Sequence, residues 1–297
     1  MNILVMGAGA VGCYYGAMLA RAGHAVTLVA RARHVDAIRR EGLLFESAAF
    51  TGRIPIGAST TPEAARDADL VLFCVKSGDT ESAGEMLLPF LHDKACVLSL
   101  QNGVDNAERL SKVLCRNVIP AIVYLAVGMP GDGHLRHHGR GELVIGRFDD
   151  AARIAAVLDA AKIPTQVSDD VVPALWDKLI INCAFNAMSA IPQIPYGKLV
   201  ASEGVVAVMH DVIRECLAVA RAAGVAGLSD PYLAVNRIAG SMATQRSSTA
   251  QDLAAGKPTE IDHLNGYVVR LGETYGVATP VNGALRTLVH LMELRST

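Results

Sequence analysis

Apolar and polar positions divide the chain into two regimes. In the first, short apolar runs alternate with segments of helical spacing: residues 2–6 (N-I-L-V-M) and 25–29 (A-V-T-L-V) read as strands, and residues 10–21 as the helix between them. Leu70 to Val75 is apolar at every position, the pattern of a parallel strand with helices on both faces. A helix over about 80–91 and a strand over 95–100 continue the alternation. From Asn117 to Gly146, β-branched runs are punctuated by G-M-P-G-D-G and H-H-G-R-G, which predicts further strands rather than another helical crossover. A helix near 150–161 and a short strand at 165–167 end this half.

After Val171-Val172-Pro173 the helical period dominates. Helices are predicted over about 173–190, 202–223, 231–241, 259–275 and 280–292, with prolines and glycines supplying the stops. The change of period places a domain boundary near residue 170, giving an α/β domain over 1–170 and an all-helical one over 171–297.

Composition narrows the class of protein. The 297 residues are enough for two domains with real cores, 51% of them are hydrophobic, and the formal net charge is only -2, which argues against a nucleic-acid surface built on bulk charge. Six cysteines (Cys13, Cys74, Cys96, Cys115, Cys183 and Cys216) lie in apolar segments without a C-x-x-C pair, fitting a reduced, cytoplasmic setting. No signal-peptide pattern opens the chain, and no apolar run is long enough to predict a membrane span.

The first candidate chemistry sits where the first strand ends. Residues 7–12 read G-A-G-A-V-G, a G-x-G-x-x-G between a strand and a helix. Gly7 suits the tight turn, Gly9 lets backbone approach a pyrophosphate, and Gly12 allows close packing of helix on strand, while Ala8, Ala10 and Val11 complete the loop. The helix it opens would aim unpaired amides at the phosphates. An NAD site usually offers an acid at the end of the second strand; here the chain reads V-A-R-A-R-H from Val29 to His34. A carboxylate would repel a 2′-phosphate, whereas the Arg31 guanidinium can bind one through paired, charge-assisted hydrogen bonds, so the expected cofactor is NADPH/NADP+.

Lys76 and Asn102 stand at the C-terminal ends of later strands, the edge where open α/β sheets bind ligands; Asn102, beside a glycine, is equally readable as a turn former. In the second half, Lys178, Asn182 and Asn186 recur every four residues and share one stripe of a helix otherwise rich in apolar residues. Polar groups in such a setting need partners, which a polar substrate and a cofactor amide would supply; a stripe facing solvent or another helix is the alternative. Thr259 reads as the cap of a helix with Glu260, Asp262 and His263 in its first turn. His134, His137 and His138 lack a convincing third or fourth partner in sequence, so no metal is expected.

With these pieces in order, the chain resembles the ketopantoate reductase (2-dehydropantoate 2-reductase) family over essentially its whole length. The matching segments are G-A-G-A-V-G at 7–12, Arg31, V-K-S at 75–77, Q-N-G at 101–103 and H-H-G-R-G-E-L-V-I-G at 137–146, then W-D-K-L-I-I-N-C-A-F-N at 176–186, S-S-T-A-Q-D at 247–252 and T-E-I-D-H-L-N-G at 259–266. The resemblance implies an N-terminal Rossmann-like domain that binds NADPH and a helical domain that closes a cleft over it. It implies Lys178 and Glu260 as the catalytic pair, and Lys76 and Asn102 beside the nicotinamide, with Asn102 also holding substrate. It implies Asn182 and Asn186 at the polar end of the substrate and Ser248 near its carboxylate. The implied reaction reduces 2-dehydropantoate to D-pantoate, on the route to pantothenate and coenzyme A.

Two family positions depart from the pattern: where substrate-side asparagines are usual, the nearest counterparts here are Tyr196 and Gln245. A different small 2-oxo acid, or a non-catalytic NADP(H) sensor, therefore stand as the alternatives to ketopantoate reduction. The expected partner is a small 2-oxo acid, with no nucleic acid and no membrane. Apolar helix faces such as Val205 to Met209 and Leu285 to Met292 fit either an intramolecular core or a homodimer seam.

Overall fold

In the computed structural model, which describes residues 1–294, the chain divides into two compact units at Val171/Val172. The first contains, in order, β1 (Asn2–Met6), α1 (Ala10–Arg21), β2 (Ala25–Val29), α2 (Ala32–Glu41), β3 (Leu43–Glu46), β4 (Thr51–Ile54), β5 (Gly57–Ser59), β6 (Leu70–Phe73) and α3 (Thr80–Leu87). It continues with β7 (Cys96–Ser99), α4 (Asn106–Leu114), β8 (Ile119–Gly131), β9 (His134–Gly146), α5 (Ala151–Ala160) and β10 (Thr165–Ser168).

The parallel part of the sheet runs β8-β7-β6-β1-β2-β5, so the chain leaves β1 toward one side through β2 and toward the other through β6. That reversal at β1 is the topological switch point at which such sheets bind ligands. Alternation along the strands explains why both faces are covered. Ile3, Val5, Leu70 and Leu72 join a core with Cys13, Tyr15 and Leu19 of α1, while Leu4, Met6, Val71 and Phe73 meet Leu87, Leu110 and Leu114 of α3 and α4. Each such fully buried side chain contributes about 1.5–3 kcal/mol, which makes the central strands the rigid frame of this Rossmann-like unit.

The segment predicted to carry extra strands forms one long antiparallel hairpin, β8 with β9, and β9 also pairs in parallel with β3 and β10. Sequence pattern alone did not show α2, α4 or the β3–β4 hairpin. In α2 only His34, Val35 and Ile38 are buried among five charged residues, so its apolar stripe is too narrow to stand out. The helix expected to reach residue 91 stops at Leu87, and a 3-10 turn over Leu88–Phe90 follows.

The second unit holds α6 (Val172–Ala190), α7 (Tyr196–Val200), α8 (Val205–Ala222), α9 (Pro231–Ser241), α10 (Ser248–Ala254), α11 (Asn265–Tyr275) and α12 (Pro280–Leu294), with no strand among the described residues. The helix predicted over 259–275 is corrected: a 3-10 turn at Ile261–His263 comes first, Leu264 breaks the chain at φ -112°, ψ -101°, and α11 starts at Asn265. Thr259 is not the helix cap: Glu260 is the N-cap of the 3-10 turn, and the Thr259 Oγ1 just before it accepts from the Ile261 amide at 3.3 Å. Residues 202–204 lie outside α8, which begins after Gly204 in the left-handed region. Among the described residues no helix is long and apolar enough to cross a membrane.

Candidate active site

At the switch point the three glycines of the loop answer to different constraints. Gly7 sits at φ +100°, and a Cβ there would lie 2.7 Å from the Val75 nitrogen, so the loop abuts the strand end that leads to Lys76. At Gly12 a Cβ would run into the Gly7 carbonyl and the Val5 side chain, the close approach of α1 to β1. Gly9 is exposed at φ -76°, and a Cβ there would meet no atom of the described residues within 4 Å. Among the described residues nothing requires glycine at that position, whereas a ligand lying against the backbone would.

The amides of Gly7 and Ala8 donate to the Val29 carbonyl at 3.2 and 2.9 Å and fix the loop to the end of β2. Those of Ala10, Val11 and Gly12 form the first turn of α1, where an α-helix has no internal acceptors to offer. Bare donors beside open space at a helix start fit a pyrophosphate group. Where β2 ends, Arg31 is exposed and forms the N-cap of α2, with no carboxylate at Ala30 or Ala32. Next to this loop, burial pushes the Cys13 thiol up to about 12, which keeps it protonated and unreactive.

Lys76 and Asn102 follow the neighbouring strands β6 and β7, and both are half-buried. The ends of those strands are tied together side chain to backbone: the Ser77 hydroxyl donates to the Asn102 carbonyl at 2.8 Å, and the Asn106 amide donates to the same carbonyl at 2.6 Å. Beneath them Gln101 donates to Thr80 Oγ1 at 2.8 Å and accepts from Ser99 at 2.9 Å. Arg109 donates to the Ser77 carbonyl at 3.0 Å and pairs with both oxygens of Glu81 at 2.7 and 2.5 Å. Sequence reading singled out Lys76 and Asn102 and missed this support. Its signal was there, since D-N-A-E-R after Q-N-G is a helix start that leaves Asn106 facing back toward the strand ends.

In the second unit, α6 carries Lys178 and Asn182, both half-buried, and Asn186, which is 3% exposed. Asn186 and Ser248 are brought together, the amide Nδ2 lying 3.5 Å from Ser248 Oγ. Ser247 makes this possible. Its hydroxyl caps α10 by accepting from the Ala250 amide at 3.0 Å and donates to the Asn186 carbonyl at 3.0 Å, which docks the start of α10 on α6 and leaves Ser248 exposed. Sequence reading assigned no role to Ser247, although a serine opening S-S-T-A-Q is a common N-cap.

Glu260 is half-buried and opens the 3-10 turn, its carbonyl accepting from the His263 amide at 2.9 Å. The helix that follows packs on α6, with the Trp176 and Tyr267 rings 6.0 Å apart and Asn265 donating to the Cys183 carbonyl at 3.2 Å. Of the loop histidines, His134 pairs with Glu46 at 2.9 Å, and His137 meets the Arg140 carbonyl at 2.7 Å and stacks on Tyr14.

Both units match family models in turn: the description "Ketopantoate reductase PanE/ApbA" covers residues 3–150, and its C-terminal counterpart covers residues 170–293. The chain belongs to the ketopantoate reductase family. Ketopantoate reductase relatives match it end to end. It is 34% identical to the 2-dehydropantoate 2-reductase of Halobacterium salinarum, over 99% of this chain and 98% of that protein. It is 34% identical to that of Vibrio cholerae over the same shares. A crystal structure of a PanE/ApbA family ketopantoate reductase from Ralstonia eutropha superimposes with a TM-score of 0.96 at 56% identity, covering 100% of this chain and 99% of that one. As a ketopantoate reductase family member the protein is an oxidoreductase whose Rossmann-like unit binds a nicotinamide dinucleotide.

Proposed function

We propose that the protein reduces 2-dehydropantoate to D-pantoate with NADPH, using Lys178 as general acid. The observation that carries this reading is the polar face of α6, where Lys178, Asn182 and Asn186 share one stripe and Asn186 meets Ser248. A family oxidoreductase needs a substrate-polarising cation beside directional hydrogen-bonding groups, and this stripe offers both.

NADPH, when bound, supplies the hydride that reaches the ketone carbon. The glycine loop from Gly7 to Gly12 would hold its pyrophosphate, with Ala8, Ala10 and Val11 contributing backbone, and Arg31 its 2′-phosphate. Lys76 and Asn102 would hold the nicotinamide end, Asn102 also reaching the substrate. As negative charge develops on the carbonyl oxygen, the Lys178 ammonium stabilises it and donates the proton that completes the alcohol. Glu260 would orient that ammonium and accept a hydrogen bond from the product hydroxyl. Asn182, Asn186 and Ser248 would bind the polar end and carboxylate of the substrate, favouring a 2-oxo acid over a plain ketone.

A specific observation supports a second reading, another small 2-oxo acid. The two positions that depart from the family pattern are neighbours: the Tyr196 amide donates to the Gln245 carbonyl at 2.9 Å, and the Tyr196 ring lies 4.7 Å from that of Phe185. A pair of changes in one patch is what an altered substrate end would produce.

NADPH oxidation with 2-dehydropantoate and a panel of 2-oxo acids separates the two readings, the acid with the largest kcat/KM being the substrate. Lys178→Ala is expected to bind NADPH as the wild type does and to lose about 10²- to 10⁴-fold in kcat. Turnover surviving that substitution undiminished would remove Lys178 from the chemistry, and NADPH binding without turnover of any acid would point to a sensor.

A further inference from the structure

The Q-N-G segment at the end of β7 divides its labour in a way that points beyond its own three residues. Gln101 is 6% exposed and bonded into the frame. Gly103 takes φ +107°, a conformation costly for a side-chain-bearing residue. The Asn102 carbonyl receives two donors, Ser77 Oγ at 2.8 Å and Asn106 Nδ2 at 2.6 Å. A carbonyl oxygen has two lone pairs, so both are filled and the 102–103 peptide plane is fixed. Fixing that plane fixes the direction in which the Asn102 side chain leaves the backbone.

We propose that Asn106 is a positioning residue for hydride transfer, which together with Ser77 sets Asn102 and the Lys76–Ser77 strand end in register with each other. Its carboxamide is 2% exposed and fully used. Nδ2 donates to the Asn102 carbonyl and, at 3.1 Å, to Ser77 Oγ; Oδ1 accepts from Thr80 at 3.3 Å and from Arg109 at 3.2 Å. No other side-chain type offers two donors and two acceptors on one short planar group. Aspartate keeps the shape and both acceptors but has no N–H, and it would set a carboxylate oxygen against the Asn102 carbonyl. The inference rests on the reading above that Lys76 and Asn102 lie beside the nicotinamide.

The test compares wild type, Asn106→Asp, Ser77→Ala and Leu110→Ala, with kcat expressed per NADPH-binding site so that misfolded protein does not count. Leu110, 0% exposed on the same helix α4, touches the apolar core, so its truncation loosens the helix without removing a donor. Displacement of reacting groups by about 1 Å can cost about 10²-fold in rate. Asn106→Asp is therefore expected to lower kcat at least fivefold, to raise the deuterium isotope effect on kcat measured with 4-deuterated NADPH, and to leave the NADPH Kd within threefold. Ser77→Ala, which removes one of the two donors, is expected to shift the same quantities in the same direction by less, and it decides the matter if Asn106→Asp does not fold. Leu110→Ala should lower the melting temperature and keep kcat within twofold. A loss below fivefold in Asn106→Asp, an unchanged isotope effect, or an equal loss in Leu110→Ala overturns the proposal. Inactivity of the wild type toward every 2-oxo acid would instead sink the functional reading beneath it.

Discussion

Each unit buries an asparagine in a hydrogen-bond network near the start of a helix, Asn106 in the first and Asn282 in the second, yet the two hold different things. Asn106, at the start of α4, ties loop to loop at the ends of β6 and β7. Asn282, in the first turn of α12 and 0% exposed, ties helix to helix: Oδ1 accepts from Asn265 of α11 at 3.0 Å, and Nδ2 donates to Glu215 of α8 at 2.7 Å and to the Val212 carbonyl at 3.4 Å. Glu215 also accepts from the backbone amides of Val281 and Asn282, each at 2.9 Å, placing a carboxylate where the positive end of the α12 dipole favours it. The same chemical group thus serves geometry at a candidate site in one unit and assembly of the helices in the other. A buried polar network is not by itself a sign of function; what it immobilises decides.

The largest expected effect breaks the second network. Asn282→Ala leaves Glu215 and Asn265 with buried groups short of a partner and opens a cavity, and should cost about 2–4 kcal/mol. Denaturant melts would read this as a shifted midpoint, with kcat per folded enzyme within twofold of wild type. If kcat fell as far as it does in Asn106→Asp, the two asparagines would not differ in kind and the contrast would dissolve.

How much of this was legible beforehand follows the same division. The glycine loop could be read because its constraints are local: a tight turn at Gly7, crowding at Gly12 and open backbone at Gly9 all lie within six residues. The α6 stripe could be read because helical periodicity puts Lys178, Asn182 and Asn186 on one face whatever else the chain does. Asn282 could not, because its partner Glu215 is 67 residues away, and Asn106 showed only as a helix start after Q-N-G, its bond to Ser77, 29 residues back, being invisible in the sequence. Nothing in a single sequence distinguishes an asparagine that closes such a network from one at a helix start. The break at Leu264 was hidden because T-E-I-D-H-L-N-G runs without interruption into the helical period that follows; its N-G pair is a turn signal, and the backbone at φ -112°, ψ -101° shows where the turn falls.

A smaller effect sharpens the first unit. Arg31 is exposed and lies outside both networks, so Arg31→Ala should leave stability within about 0.5 kcal/mol of wild type. Charge-assisted hydrogen bonds contribute about 1.5–3 kcal/mol, so the NADPH Kd should rise about 10- to 150-fold while the NADH Kd stays where it was. Fluorescence titration with the two cofactors is sufficient. Equal weakening of both would show that residue 31 senses the dinucleotide generally and not its 2′-phosphate.

The smallest effect concerns the segment carrying Glu260, which is held by a cluster of carboxylates with a guanidinium and an imidazole. Asp262 Oδ1 accepts from Arg286 at 2.6 Å and from His290 at 3.2 Å, and His290 reaches Glu293, which in turn accepts from the Thr259 amide at 2.8 Å. Burial pushes the Asp262 carboxyl up, but the hydrogen bonds from Arg286 and His290 outweigh it and hold it below the usual range. A carboxyl depressed in the folded state adds stability above its unfolded pKa of about 4, and that contribution is lost as pH falls through the lower folded value. The Asp262 side chain is 42% exposed, so solvent screening keeps the gain under about 1 kcal/mol. Asp262→Asn should therefore melt slightly below wild type at pH 6, and the gap should close as the pH drops below about 4 or as salt rises. A deficit in Asp262→Asn that stayed constant down to pH 3 would mean that shape, not charge, secures the turn before α11.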